Sequence, residues 1–368
     1  MASPAEQAQS LTPSAVQAAY TLIQPYVHRT PLLTCKTLDT IASTPQTPES
    51  LVGTPFEGQT PAQPKFRFFF KCENLQRIGA FKARGAFHAL LRLIEERGEE
   101  EVKRRGVITH SSGNHAQALA LAASTLHVPA YIVMPSISTS SKIAGTRSHG
   151  AEVIFSGSTS VEREAMVEEI QAKTNAILVP PYDDFNIICG QGTTALELEA
   201  QYAEQAGSKT LDAVITPIGG GGLNAGVATY FSDKKTKVFG AEPSFEGADD
   251  CRRGLLAGKR VEAVSTLTIG DGLRTPVGVL NWEVISNKKK VEGVYAVTEE
   301  QIKATMRLVL ERMKVFVEPS AVVGLAVCLF DEDFRRLVER EGGDQGWDMA
   351  IVFSGGNTTV EAISKLFG

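Results

Sequence analysis

Across most of the chain, short and almost uninterrupted apolar runs alternate with stretches of helical periodicity. No other feature constrains the fold as strongly. The runs at 66–71, 106–109, 130–134, 152–155, 176–179, 211–216, 237–241 and 349–353 read as strands. Helices are predicted over 14–26, 81–96, 115–124, 161–173, 192–205, 223–232, 298–313, 321–330 and 358–367. Thr12 and Pro13 stand at the N-cap and first helical position of the first of these. A strand that is apolar on both faces must be covered on both faces, as in parallel sheets joined by crossover helices. The expected class is therefore α/β. At 368 residues, and roughly 150 per domain, two domains are expected. Residues 43–64 hold five prolines and few large apolar side chains, and read as a surface loop or insertion.

In open parallel sheets ligands bind beyond the carboxyl ends of the strands. Three polar or glycine-rich turns fall at such places, each leading from a predicted strand into a predicted helix. They are His110-Ser111-Ser112-Gly113-Asn114-His115, Pro217-Ile218-Gly219-Gly220-Gly221-Gly222 and Ser354-Gly355-Gly356-Asn357. Four successive glycines let the backbone turn tightly and aim several N–H groups at one spot, with a helix N-terminus behind them. That is the makeup of a phosphate cradle, whereas a crowded turn alone would need one glycine. Two serines, an asparagine and a histidine within five residues exceed what N-capping requires and suit a carboxylate clamp.

The glycine segment also fits G-x-G-x-x-A, with Glu242 twenty residues beyond Gly222 where a ribose-binding acid would stand. Alone it would support a nicotinamide-dependent oxidoreductase. Lys82 lies among glycine, alanine and phenylalanine. It is either a solvated surface charge or a desolvated amine with the depressed pKa that imine chemistry needs.

Net charge is −5 and no basic run exceeds three residues, as at Lys288-Lys289-Lys290, so no electrostatic footprint for nucleic acid or an anionic membrane is present. Five scattered cysteines without a C-x-x-C pair argue against a disulfide framework and a structural zinc site. No apolar run reaches the ~18 residues of a membrane span, and the polar N-terminus has no secretory pattern. A cytoplasmic protein with a small-molecule partner is expected.

Taken together, these motifs resemble a known family. Asn74-Leu75-Gln76-Arg77-Ile78-Gly79-Ala80-Phe81-Lys82-Ala83-Arg84-Gly85-Ala86 resembles the lysine segment of fold-type II pyridoxal-phosphate enzymes. The three turns above look like that family's other signatures. So do Gly190-Gln191-Gly192-Thr193, Asp271-Gly272-Leu273-Arg274 and Val317-Glu318-Pro319-Ser320. The resemblance spans about residues 14 to 367 and is closest to serine racemases and the serine, threonine and L-threo-3-hydroxyaspartate dehydratases, fungal ones in particular.

It implies a tryptophan synthase β-like fold: two parallel-sheet α/β domains with pyridoxal 5′-phosphate between them. The large domain would comprise 1–105 and 185–368, the small one 106–184. Lys82 would carry the cofactor and act as acid/base on one face of the substrate Cα, with Ser112 on the other face. Phe81 would pack on the pyridine ring, Asn114 would bond its 3′ oxygen and Ser354 would face its nitrogen. Gly219, Gly220, Gly221 and Gly222 would hold the phosphate. Ser111, Ser112, Asn114 and His115 would hold the substrate carboxylate.

Arg163 falls where the racemases carry an arginine near the substrate, and a second basic group favours a second carboxylate; surface salt bridging accounts for it equally well. Glu242, Ala248 and Asp250 resemble a Mg²⁺ or Ca²⁺ site, apparently with two extra residues around Phe245-Glu246-Gly247. The alternative there is a solvated acidic loop. The implied activity is dehydration of a 3-hydroxy amino acid to a 2-oxo acid and ammonia, with serine racemisation as a side or main activity. A homodimer is the implied assembly.

Overall fold

The computed structural model describes residues 10–111, 113–157, 160–207 and 209–368. The strands among them are β1 Leu32–Leu33, β2 Phe66–Cys72, β3 Val107–His110, β4 Ala130–Pro135, β5 Glu152–Ser156, β6 Ile177–Leu178, β7 Ala213–Pro217, β8 Lys237–Pro243, β9 Gly293–Val297 and β10 Trp347–Phe353. They form a six-stranded sheet of order β1-β2-β10-β7-β8-β9 and a four-stranded sheet of order β5-β4-β3-β6. Every pairing is parallel except β1 with β2. The antiparallel β1 is the one departure from purely parallel sheets.

Alternation along the central strands accounts for their unbroken apolar sequence. Phe66, Phe68 and Phe70 of β2 enter one core with Met349, Ile351 and Phe353 of β10. Phe69, Ala350 and Val352 point the other way, into a second core. Each fully buried Phe or Leu contributes about 1.5–3 kcal/mol by leaving water, and both faces of this sheet gain it. The four-stranded sheet has its own core, shared with the helices Lys82–Arg97 and Asn114–Thr125.

The eight expected strands are present, with ends shifted by up to two residues. Unforeseen were β1, only two residues long, and β9, half buried; these are the two edges of the large sheet. Thr12 caps the first helix, accepting from the Ala15 N–H at 3.2 Å. The helix expected from residue 192 begins at Phe185 instead, capped by Asp184. Its internal glycines are contact points rather than breakers. A Cβ on Gly190 would lie 2.6 Å from Gly85 Cα, and one on Gly192 would lie 2.7 Å from the Gly226 carbonyl oxygen. Three helices thus cross at glycine-to-glycine separations.

The proline-rich segment is mostly exposed irregular chain with a short turn at Pro48–Leu51. It is docked at both ends. Gln46 donates to the Phe330 carbonyl at 3.1 Å and the Ala62 N–H donates to Glu332 at 2.5 Å.

Candidate active site

The lysine segment reaches its place through main-chain bonds to the serine turn after β10. The Phe81 N–H donates to the Ser354 carbonyl at 3.0 Å and the Gly356 N–H to Gly79 at 2.9 Å, while Ala80 bridges Gly355. Lys82 opens the helix Lys82–Arg97. Its Nζ donates to the Pro181 carbonyl at 2.8 Å and lies 5.2 Å from the Phe81 ring centre. Burial without a neighbouring carboxylate brings its pKa down to about 8. Of the two readings open for Lys82, the structure realises the desolvated amine.

The next residue after Pro181 meets the glycine turn. A Cβ on Gly220 would lie 2.4–2.6 Å from three carbons of the Tyr182 ring, and one on Gly222 would lie 3.0 Å from the Tyr182 carbonyl oxygen. Gly221 has φ +92°, a left-handed conformation at the N-cap of the helix Gly222–Tyr230. A Cβ on Gly219 would come within 2.8 Å of the Gly272 carbonyl oxygen. Among the described residues, the N–H groups of Gly219, Gly220, Gly221 and Gly222 have no acceptor.

The third turn joins through Asn114. Its side chain donates to Glu318 and accepts from Asn357, both at 2.9 Å, and Asn357 also donates to the Ile78 carbonyl at 2.7 Å. Asn114, expected to reach a cofactor oxygen, is thus already tied at both ends of its amide. Burial raises Glu318 to about 7, with Asp271 adding to the rise. His115 is buried, and desolvation together with the Lys82 charge drives it down to about 3, leaving a neutral imidazole. Ser111 Oγ accepts from the Gly113 N–H at 3.3 Å. Ser112 lies outside the described residues. The field of Arg163 reaches His110, whose pKa falls mainly by burial, and Tyr182, whose pKa rises mainly by burial.

The remaining signatures pack around these three turns. The Gly85 N–H donates to Gln191 at 3.1 Å, and the Gly272 N–H donates to Ser320 at 3.1 Å. Lys142 forms an ion pair with Asp271. Asn281, which the sequence did not single out, donates to the Gly220 carbonyl at 2.7 Å and to the Tyr182 carbonyl at 3.2 Å. It belongs to a seven-residue helix, Val279–Ile285, too short for its pattern to stand out.

Glu242, near the end of β8, feels the charge of Asp250. The Glu242 carboxylate accepts the Cys251 and Arg252 N–H groups at 3.0 and 2.9 Å, and Asp250 accepts from the Val277 N–H at 3.1 Å. Burial raises both carboxyls, Asp250 to about 6, and the Asp250 charge pushes Glu242 higher still. The apparent insertion forms one turn, Phe245–Gly247, with Glu246 at φ 49° accepting from the Leu267 N–H at 2.9 Å. Among the described residues, no group of three or more His, Cys, Asp or Glu side chains is arranged to hold a metal ion.

Comparison with known proteins gives the family. The family model described as pyridoxal-phosphate dependent enzyme matches residues 53–355. The chain belongs to the pyridoxal-phosphate-dependent enzyme family. It is 38% identical to a serine racemase from Arabidopsis thaliana over 96% of this chain and 95% of that protein. A solved serine racemase from maize superposes with a TM-score of 0.81 at 35% identity, covering 97% of this chain and 96% of that one. The processed form of threonine deaminase isoform 2 from Solanum lycopersicum gives 0.77 at 28% identity, covering 96% and 86%.

The fold is thus the mixed α/β fold-type II arrangement of this family, and the chain is an enzyme. The residues present fit the family's cofactor. The Lys82 amine bonds to Pro181, the Tyr182 ring lies against Gly220 where no side chain would fit, and among the described residues the four glycine amides have no acceptor. The nicotinamide reading of the glycine fingerprint gives way here, because Glu242 has both oxygens on main-chain amides of the helix Asp250–Ala257.

Proposed function

We propose that this pyridoxal-phosphate enzyme is an ammonia-lyase that dehydrates a 3-hydroxy amino acid (serine, threonine or 3-hydroxyaspartate) to a 2-oxo acid and ammonia, and that it also racemises serine. The observation that carries the reading is Lys82, a half-buried residue whose desolvated amine has a pKa of about 8, set one residue's contact away from a glycine turn whose amides have no acceptor among the described residues. Pyridoxal phosphate bound there supplies an electron sink for negative charge at the substrate Cα. Lys82 holds or takes a proton at one face of that carbon, and its depressed pKa keeps a usable fraction of neutral amine near physiological pH.

In this reading Gly219, Gly220, Gly221 and Gly222 donate N–H groups to the phosphate. Phe81 packs on the ring and Ser354 offers a neutral hydroxyl to the ring nitrogen. By offering a hydroxyl and not a carboxylate, Ser354 would leave that nitrogen largely uncharged, which suits elimination of a β-hydroxyl. Ser111, Asn114 and neutral His115 orient the substrate carboxylate. Arg163 would meet a second carboxylate where the substrate carries one. Ser112 would move a proton at the opposite face, which racemisation requires and elimination does not.

Racemisation as the main activity is the second reading, favoured by the near full-length similarity to a serine racemase. We infer further that 106–184 is a small domain inserted into a large one, since β3 to β6 all fall within it and the other strands outside it. Glu242, Asp250 and the Ala248 carbonyl would take Mg²⁺ or Ca²⁺, supported by two buried carboxyls, of which the Asp250 charge disfavours ionisation of Glu242. A cytoplasmic homodimer completes the reading, on cysteine usage and family resemblance.

The test is a visible spectrum of the purified protein before and after serine, threonine and 3-hydroxyaspartate in both configurations. The same samples are assayed for 2-oxo acid and for the mirror-image amino acid. Colour that shifts with one of them, and is lost in Lys82→Ala along with both activities, is expected. Full turnover by Lys82→Ala would end the mechanism.

A further inference from the structure

Asn281 occupies an unusual position behind the glycine turn. Its side chain is fully buried, its Nδ2 donates to two main-chain carbonyls, Gly220 at 2.7 Å and Tyr182 at 3.2 Å, and its Oδ1 has no partner among the described residues. The Gly220 carbonyl is held a second time by the Gly278 N–H at 3.1 Å. A Cβ on Gly221 would lie 3.0 Å from Asn281 Cβ, so side chain and turn are in contact. No peptide bond among the described residues is cis. In a trans peptide the C=O and the following N–H point in opposite directions. Two donors that pull the Gly220 oxygen towards Asn281 therefore turn the Gly221 N–H away from it, and that N–H has no acceptor among the described residues.

The helix that carries Asn281 is itself anchored to the far side of the cradle. Asp183, adjacent to Tyr182, accepts the Val279 and Leu280 N–H groups at 2.8 and 2.9 Å. Leaving a buried amide oxygen unpaired is costly, and the arrangement recovers that cost only through what Nδ2 holds.

We propose that Asn281 is a positioning residue for the phosphate cradle: by clamping the Gly220 and Tyr182 carbonyls it presets the Gly221 N–H as a phosphate donor. The proposal rests on the pyridoxal-phosphate reading of the site. Asn281 touches neither the amine nor the reacting carbon, so its effect falls on the phosphate and not on the aldehyde.

The experiment compares the apoprotein's affinity for pyridoxal phosphate, for pyridoxal without phosphate, and for inorganic phosphate as a competitor. It uses wild type, Asn281→Leu and Asn281→Asp. With one to two hydrogen bonds of preorganisation lost, Asn281→Leu is expected to bind pyridoxal phosphate and inorganic phosphate about five- to tenfold more weakly and pyridoxal as well as wild type does. Asn281→Asp is expected to match Asn281→Leu at pH 8. It should regain affinity relative to Asn281→Leu as the pH falls, because a protonated carboxyl again has a donor for the Gly220 oxygen. Equal losses for pyridoxal and its phosphate, or no loss in either variant, would overturn the assignment. A wild-type protein that binds none of the three would instead defeat the cofactor reading itself.

Discussion

Arg84, two residues beyond Lys82, is the place where a single substitution should do most damage. It donates to both oxygens of Glu73 at 2.7 Å and to both of Glu197 at 3.0 and 2.8 Å. Lys71 completes the group, 2.7 Å from Glu197 and 3.9 Å from Glu73, and all four side chains are at most 1% exposed. Two cations balance two carboxylates, so Arg84→Met leaves one uncompensated buried negative charge. Breaking such a set costs about 3–5 kcal/mol.

The cost falls on Glu73, which would keep the Thr30 hydroxyl at 2.6 Å and a distant lysine. Burial alone would raise Glu73; the Arg84 charge and hydrogen bonds hold it below the usual carboxylate value. In wild type, therefore, this carboxyl adds stability above its unfolded pKa of about 4 that is lost as the pH falls. In Arg84→Met the folded pKa moves above the unfolded one and the sign reverses, so the deficit grows as the pH rises. Urea denaturation followed by circular dichroism, at pH 5 and pH 8, reads both quantities. A companion Glu73→Gln substitution in the same chain should recover at least half of the loss at pH 8. A deficit under about 1 kcal/mol at pH 8, or one equal at both pH values, would refute the reasoning.

Lys82 in the apoprotein should react with an amine-directed reagent with a midpoint near pH 8. Its folded pKa lies below the unfolded value of about 10.4, so its contribution to stability rises with pH between the two; mass-spectrometric labelling that titrates above pH 10 would contradict this. Ser112→Ala should lower racemisation more than elimination, measured on one preparation with D- and L-serine, since only racemisation needs an acid on the second face. Glu242 and Asp250 have folded pKa values above the unfolded ones, so the contribution of each falls as the pH rises through its folded pKa, about 6 for Asp250. Mg²⁺ should therefore raise the melting temperature more at pH 8 than at pH 5, and Asp250→Asn should remove that gain; equal gains at both pH values would count against a cation there.

Most of the sheet was legible because buried strands leave unbroken apolar runs. The two strands that escaped are the edges, where β1 has two residues and β9 buries only part of its side chains. The Gly190 and Gly192 pair misled about where a helix begins. Glycine marks a break in a chain read locally, whereas here it lets the helices of Lys82 and Gly222 approach. Asp184, the cap that does mark the start, was the available signal.

The chemistry of the site was written in local sequence: a lysine among small and apolar residues, four glycines before a helix, a serine-rich turn, a serine after the last strand. Those patterns are local because a tight turn or a helix N-terminus is made by neighbouring residues. What holds the pieces together was decided only in three dimensions. Pro181 presents its carbonyl to Lys82, Asn114 links Glu318 to Asn357, and Asn281 holds Gly220 from behind. These partners lie 61 to 243 positions apart in the chain. No periodicity connects residues at such separations; burial of the cores brings them together, and the lysine acquires its depressed pKa only once that burial has removed its water.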